Sequence, residues 1–236
     1  MSLLSLIVAG LFYLSVLIFI VGIIYKLSIY LRTPVPLKIP IPPAPKTRMG
    51  VCLRLLKEGL LFSTLFRANK WTWLFGWLFH VGLLLELVRH LRFIYGASAP
   101  SILYHPFWAY GVWLIIIGAG GLLIRRNAVD RVRYISAPSD YLWLAVFLIS
   151  ALSGALMSWQ IVPVNIAEVM RFISALLRFD TGALQMPDHL IFMLHFVLVM
   201  GVLMAYPASK LMHAPGILLS PTLNQTDDAR EKRHTS

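Results

Sequence analysis

Apolar residues in this chain fall into five long blocks separated by shorter polar connections. The blocks cover about residues 3–30, 71–95, 106–124, 141–159 and 189–211. At a rise of ~1.5 Å per residue, a helix over each block reaches, or nearly reaches, across the roughly 30 Å hydrocarbon layer of a bilayer. The pattern therefore predicts an all-α integral membrane protein, a bundle of five transmembrane helices. It forms one membrane domain over residues 1–219, followed by a polar tail over 220–236. The first block has no positively charged leader and its apolar run is too long for a signal-peptide core, so it reads as a retained helix. A mean hydropathy of +0.76 and 58% hydrophobic residues agree.

The connections have their own patterns. Residues 33–45, TPVPLKIPIPPAP, are too rich in proline for helix and should run extended. Residues 51–66 show an apolar face opposite Arg54, Lys57 and Glu58, which suits either a short interfacial helix or a plain linker. Between the fourth and fifth blocks, IAEVMRFISALLRF has apolar residues at helical spacing. It predicts an amphipathic helix on the outer surface.

A net charge of +11 invites a nucleic-acid reading, but its distribution argues for topology instead. Of the 21 Lys and Arg, nine lie between Lys26 and Lys70, four between Arg125 and Arg133, and four from Lys210 onward. Those 17 fall on one side of the five crossings, while Arg89, Arg92, Arg171 and Arg178 fall on the other. The positive-inside rule then puts the N-terminus outside and the C-terminus in the cytoplasm. The single cysteine, Cys52, rules out an internal disulfide, a C-x-x-C-H haem attachment and an iron–sulfur cluster, so a metal cofactor must rely on histidine.

Four histidines sit within or at the ends of the apolar blocks, two on each of two helices. His80 and His90 are ten residues apart in the second block, and His195 and His213 are eighteen apart at the last. The second helix runs inside to outside and the fifth outside to inside, so His80 pairs with His213 at the inner level and His90 with His195 at the outer level. Each pair suits axial ligation of one haem iron from both faces, and two stacked haems would carry electrons across the bilayer. The spacings differ: ten residues of helix rise ~15 Å with a rotation of about 80°, whereas eighteen rise roughly 27 Å on one face. Pro207, between His195 and His213, should kink or unwind the helix there and ease the mismatch. His189 lies too far from His213 for a ligand pair, while His105 and His234 lie outside ligand depth. Gly82 and Gly201 suit either room for a flat macrocycle or ordinary close helix packing. Glu86 in the span is a functional candidate by position, or a local ion-pair partner of Arg89.

The stretches LFGWLFHVGLLLELVRH and IFMLHFVLVMGVLMAYPASKLMH resemble the ligand helices of the respiratory nitrate reductase gamma-subunit family. IPPAPKTRMGV, FRANKWTWLFGWLFH, VDRVRYISAPSDYL and HAPGILLSPTLNQ narrow the resemblance to the DsrM family, membrane cytochromes b of dissimilatory sulfur-metabolism complexes. The resemblance implies two haem b groups, held by His80 with His213 and His90 with His195. It also implies exchange with a quinone, menaquinone or ubiquinone, in a bacterial cytoplasmic membrane. The implied partners are a cytoplasmic iron–sulfur subunit similar to heterodisulfide reductase (DsrK), a second membrane subunit, an outer multihaem cytochrome c and an outer iron–sulfur protein. No chemistry on the sulfur substrate is implied for this chain alone. A lysine that the nitrate reductase relatives place near the outer haem has no counterpart, since no lysine occurs between Lys70 and Lys210. Glu86, Arg89, Arg92 and His105 are the outer-side groups left for a quinone. Two other readings stand beside this one: a haem-free membrane scaffold for a cytoplasmic enzyme, and a transporter with a histidine proton relay. The absence of an inverted repeat disfavours the latter.

Overall fold

The computed structural model describes residues 2–35 and 37–228, so residues 229–236, with His234 and the end of the polar tail, lie outside the described residues. Five helices are long and apolar enough to cross a membrane: Leu3–Arg32, Lys70–Tyr95, Pro106–Ala128, Pro138–Ser158 and Leu190–Ala208. The chain is an all-helical, multi-pass membrane protein, and no strand occurs among the described residues. The α-helices are α1 (Leu3–Arg32), α2 (Arg48–Leu61), α3 (Ser63–Ala68), α4 (Lys70–Tyr95), α5 (Gly111–Ala128), α6 (Asp130–Ile135), α7 (Pro138–Ser158), α8 (Ile166–Leu177), α9 (Leu190–Ala205), α10 (His213–Leu219) and α11 (Pro221–Asn224). They divide between two compact units: Met1–Ser15 with Trp71–Val202, and Val16–Lys70 with Leu203–Ser236.

In the first unit, α4 and α5 meet through small residues. A β-carbon on Gly82 would stand 2.7 Å from the Gly111 carbonyl oxygen, and one on Gly118 would stand 2.5 Å from the Phe79 nitrogen. Apolar side chains give little net attraction in lipid, so close backbone approach of this kind holds neighbouring helices together. Gly82 thus serves helix packing, whereas the position of a Gly201 β-carbon is open. Beside this contact, Phe79, Val112, Ile115, Ala119, Leu144 and Ala151 form one buried cluster across α4, α5 and α7.

A second cluster explains α8. Its N-terminus is capped by Asn165, whose side chain accepts from the Ala167 N–H at 3.0 Å. Its apolar face, Val169, Phe172, Ala175 and Leu176, is buried against Val8, Ala9, Phe192 and Phe196. The amphipathic helix expected from the spacing therefore exists, and its apolar face covers the bundle. The Tyr13 hydroxyl donates to the Leu176 carbonyl at 2.8 Å and ties α1 to it.

In the second unit, residues 37–45 form neither helix nor strand and are held by residues 222–228. The Ile41 N–H donates to the Thr222 carbonyl at 3.1 Å, the Asp227 N–H to the Pro45 carbonyl at 2.9 Å, and the Ile39 N–H to Gln225 Oε1 at 2.7 Å. Lys38 pairs with Asp228. The face of α2 bearing Val51 is buried, and the opposite face exposes Met49, Leu53, Leu56 and Leu60.

The helix expected over 51–66 is broken at Phe62, which adopts a left-handed conformation (φ 49°). Glu58 braces the break: it accepts from the Thr64 N–H at 3.0 Å, from the Thr64 hydroxyl at 2.8 Å and from the Ser63 hydroxyl. Partial burial alone would raise the Glu58 carboxyl pKa, but these donors and Arg54 outweigh it and hold the group below its ordinary value of 4.5. A depressed folded pKa means stabilisation that is complete above the unfolded value and lost as pH falls through the folded one. Glu58→Ala should cost about 1 kcal/mol, as a lost cap does. The protection of the amides of residues 63–66 against hydrogen exchange, taken relative to the intrinsic rate at each pH, should fall in that variant at neutral pH, and fall in the parent chain only on acidification.

Candidate haem site and adjoining cavity

Near the C-terminal end of α4, the His90 ring lies parallel to that of His195 from α9, with centroids 6.2 Å apart and planes 15° apart. An ion held between two imidazoles needs a bond of about 2 Å on each side, and each nitrogen lies about 1 Å from its ring centre, so such rings stand about 6 Å apart. The observed centroid separation is of that size. No group of three or more His, Cys, Asp or Glu able to hold an ion occurs among the described residues.

The protonation pattern also fits. His90 Nδ1 lies 2.6 Å from the Glu86 carbonyl oxygen and His195 Nδ1 lies 3.0 Å from the Ser150 carbonyl oxygen. A carbonyl can only accept, so each Nδ1 carries the hydrogen and each Nε2 keeps its lone pair for a metal. Neither Nε2 has a hydrogen-bond partner among the described residues. His90, although in a spanning helix, keeps 50% of its side chain accessible. At His80 and His213, too, Nδ1 faces a carbonyl oxygen, that of Gly76 at 2.7 Å and that of Lys210 at 3.0 Å. These two belong to different compact units. Pro207 ends α9 in a tight turn over Tyr206–Ala208, a second turn covers Lys210–Met212, and His213 opens α10. The estimate of five unbroken helical turns from His195 to His213 is therefore replaced by a helix, two tight turns and a new helix.

His105 is different. Its Nδ1 accepts from the Phe107 N–H at 3.2 Å and caps the turn leading into α5. With Arg89, Arg92, Tyr104, Tyr110 and Trp159 it lines a cavity of about 310 Å³. Three of the four outer-side candidates thus share one cavity. The fourth, Glu86, stands behind it: the Arg89 guanidinium lies 3.3 Å from the Glu86 carboxylate and donates to the Ser158 hydroxyl at 2.7 Å. Both members of the ion pair are 12% exposed, and Arg92 Nε is buried without a partner among the described residues. Sequence reasoning missed Tyr104, Tyr110 and Trp159. The available signal was the enrichment of Tyr and Trp at helix ends near a membrane surface.

Residues 62–222 match the nitrate reductase gamma subunit family model, a stretch that holds all four histidines. The chain belongs to that family. It is 31% identical to the Hdr-like menaquinol oxidoreductase cytochrome b-like subunit of Archaeoglobus fulgidus, over 95% of this chain and 80% of the relative. It is 30% identical to the protein of the same name from Archaeoglobus profundus, with the same coverage of 95% and 80%. Similarity to the respiratory nitrate reductase 2 gamma chain of Escherichia coli (strain K12) is 28% over 58% of this chain and 67% of the relative. Family and fold together make this a membrane electron-transfer subunit of the cytochrome b type.

Proposed function

We propose that this chain is a dihaem b subunit, of the DsrM type, carrying electrons between the quinone pool and a cytoplasmic iron–sulfur subunit of a sulfur-metabolism complex. His90 and His195 hold the outer haem, and His80 and His213 the inner one. The observation that carries the reading is the parallel His90–His195 pair at 6.2 Å with both Nδ1 atoms engaged. Held by two imidazoles, a haem would supply one-electron transfer rather than substrate chemistry. The chain's own residues position the rings, fix their tautomers and keep the outer pair beside Arg89. The charge asymmetry supports an outer N-terminus and a cytoplasmic C-terminus in a bacterial inner membrane. The Hdr-like names of the relatives support a heterodisulfide-reductase-like cytoplasmic partner and menaquinone as the quinone. The long motifs quoted above support the further partners: a second membrane subunit, an outer multihaem cytochrome c and an outer iron–sulfur protein.

A reduced-minus-oxidised spectrum of the purified full chain tests the reading. A b-type band with two haems per chain is expected. Absence of any band overturns it in favour of the haem-free scaffold.

The quinone head group is assigned to the outer cavity, with Arg89, Arg92 and His105 at its wall and Glu86 holding Arg89 in place. Losing one charge-assisted hydrogen bond costs about 1.4 kcal/mol, or about tenfold in affinity. Menaquinol titration of the haem spectrum should therefore shift about tenfold toward weaker binding in Arg89→Ala and His105→Ala, and less in Glu86→Gln. Unchanged titrations in all three variants remove the quinone from this cavity.

A further inference from the structure

Three of the four histidines direct Nδ1 to a carbonyl of their own chain segment: His80 to Gly76, His90 to Glu86 and His213 to Lys210. His195 does not. Its Nδ1 lies 3.0 Å from the Ser150 carbonyl oxygen and 3.0 Å from Ser153 Oγ, both on α7 and more than 40 residues away in the chain. The Ser153 hydroxyl donates to the Ser150 carbonyl at 2.9 Å, which closes a triangle of three polar groups. Its hydrogen is thereby committed, so Ser153 Oγ meets His195 as an acceptor and the imidazole N–H is shared between two oxygens. Ser153 is 3% exposed, so water does not compete. The next residue leaves room for the ring: a β-carbon on Gly154 would stand 3.3 Å from His195 Cε1. Helix α7 therefore offers His195 a hydroxyl, a carbonyl and a floor free of side chain.

We propose that Ser153 is a positioning residue for His195, fixing its ring plane and raising the electron density of its free nitrogen. The inference rests on the haem reading above. A single acceptor lets an imidazole swing about its Cβ–Cγ bond, whereas two acceptors on a neighbouring helix hold it. Donation from Nδ1 makes the other nitrogen a stronger ligand, which favours the oxidised iron and lowers its potential. Removing the Ser153 hydroxyl also frees the Ser150 carbonyl to accept more strongly. That indirect gain is smaller than the loss of a direct 3.0 Å contact.

The test uses the full chain with its haems, in nanodiscs, by redox titration and low-temperature electron paramagnetic resonance. Ser153→Ala is expected to keep both haems, raise the potential of one and shift only that haem's low-spin signal. Ser153→Thr is expected to restore both quantities toward the parent values. Ser153→Cys, which nearly keeps the volume, guards against a packing loss and should give a shift between parent and alanine. Full haem content with parental potentials and spectra in the alanine and cysteine variants overturns the role of Ser153 while leaving the haem reading intact. Undiminished haem in His195→Ala overturns both.

Discussion

His195→Ala is expected to purify with one haem instead of two, the remaining haem keeping its potential. His90→Ala should give the same result, because either substitution leaves the other ring, 6.2 Å away, without its counterpart. The size of the effect follows from the ligand set. No group of three or more His, Cys, Asp or Glu that could hold a metal ion occurs among the described residues, and His105, the next imidazole after His90 along the chain, uses its Nδ1 to cap a turn. Haem per chain by pyridine haemochrome, together with a redox titration, reads the outcome. Added free imidazole should restore the lost haem in His195→Ala, since the cradle on α7 remains. Retention of both haems in both variants would sink the pairing.

The second large effect comes from one substitution made at two neighbouring positions. Gly118→Ala and Gly120→Ala lie on the same helix, two residues apart. A β-carbon at 118 would stand 2.5 Å from the Phe79 nitrogen and 2.7 Å from the Phe75 carbonyl oxygen, all of it backbone that cannot step aside. At 120 nothing lies within 4 Å. Overpacking of this kind costs about 1–3 kcal/mol and pushes α4 from α5. Alanine for glycine on an open helix face gains up to about 1 kcal/mol in helix propensity. Thermal unfolding of the full chain in nanodiscs should therefore move in opposite directions for the two variants. A shift of the same sign in both would deny the close α4–α5 contact.

These two cases also show what was legible before any coordinates. Apolar blocks marked the five spans because lipid penalises exposed backbone and polar side chains alike. The four histidines stood out for the same reason, and Pro207 announced the end of α9. What could not be read was any feature supplied by a different helix. His195 takes its acceptors from Ser150 and Ser153, and no spacing along α9 encodes that. Gly82 left two readings open until Gly111 was seen against it. Glu58 looked like the polar side of one helix, yet it braces a break at Phe62 that no glycine or proline marks. His105 read as an outer-side polar group, but its place in a cavity with Arg89 and Arg92 depends on the turn that folds 101–110 back over α4.

The clasp between residues 37–45 and 222–228 has a consequence for how the chain is made. The N–H of Ile39 finds its acceptor on Gln225, 186 residues later. At about 5–20 residues per second, the ribosome needs roughly 10–40 s to deliver that acceptor. Until then the proline-rich segment lacks these acceptors, while the spans after it are still being inserted. Nascent chains stalled before residue 222 should therefore stay open to protease at 37–45 and become resistant only once the clasp has been synthesised.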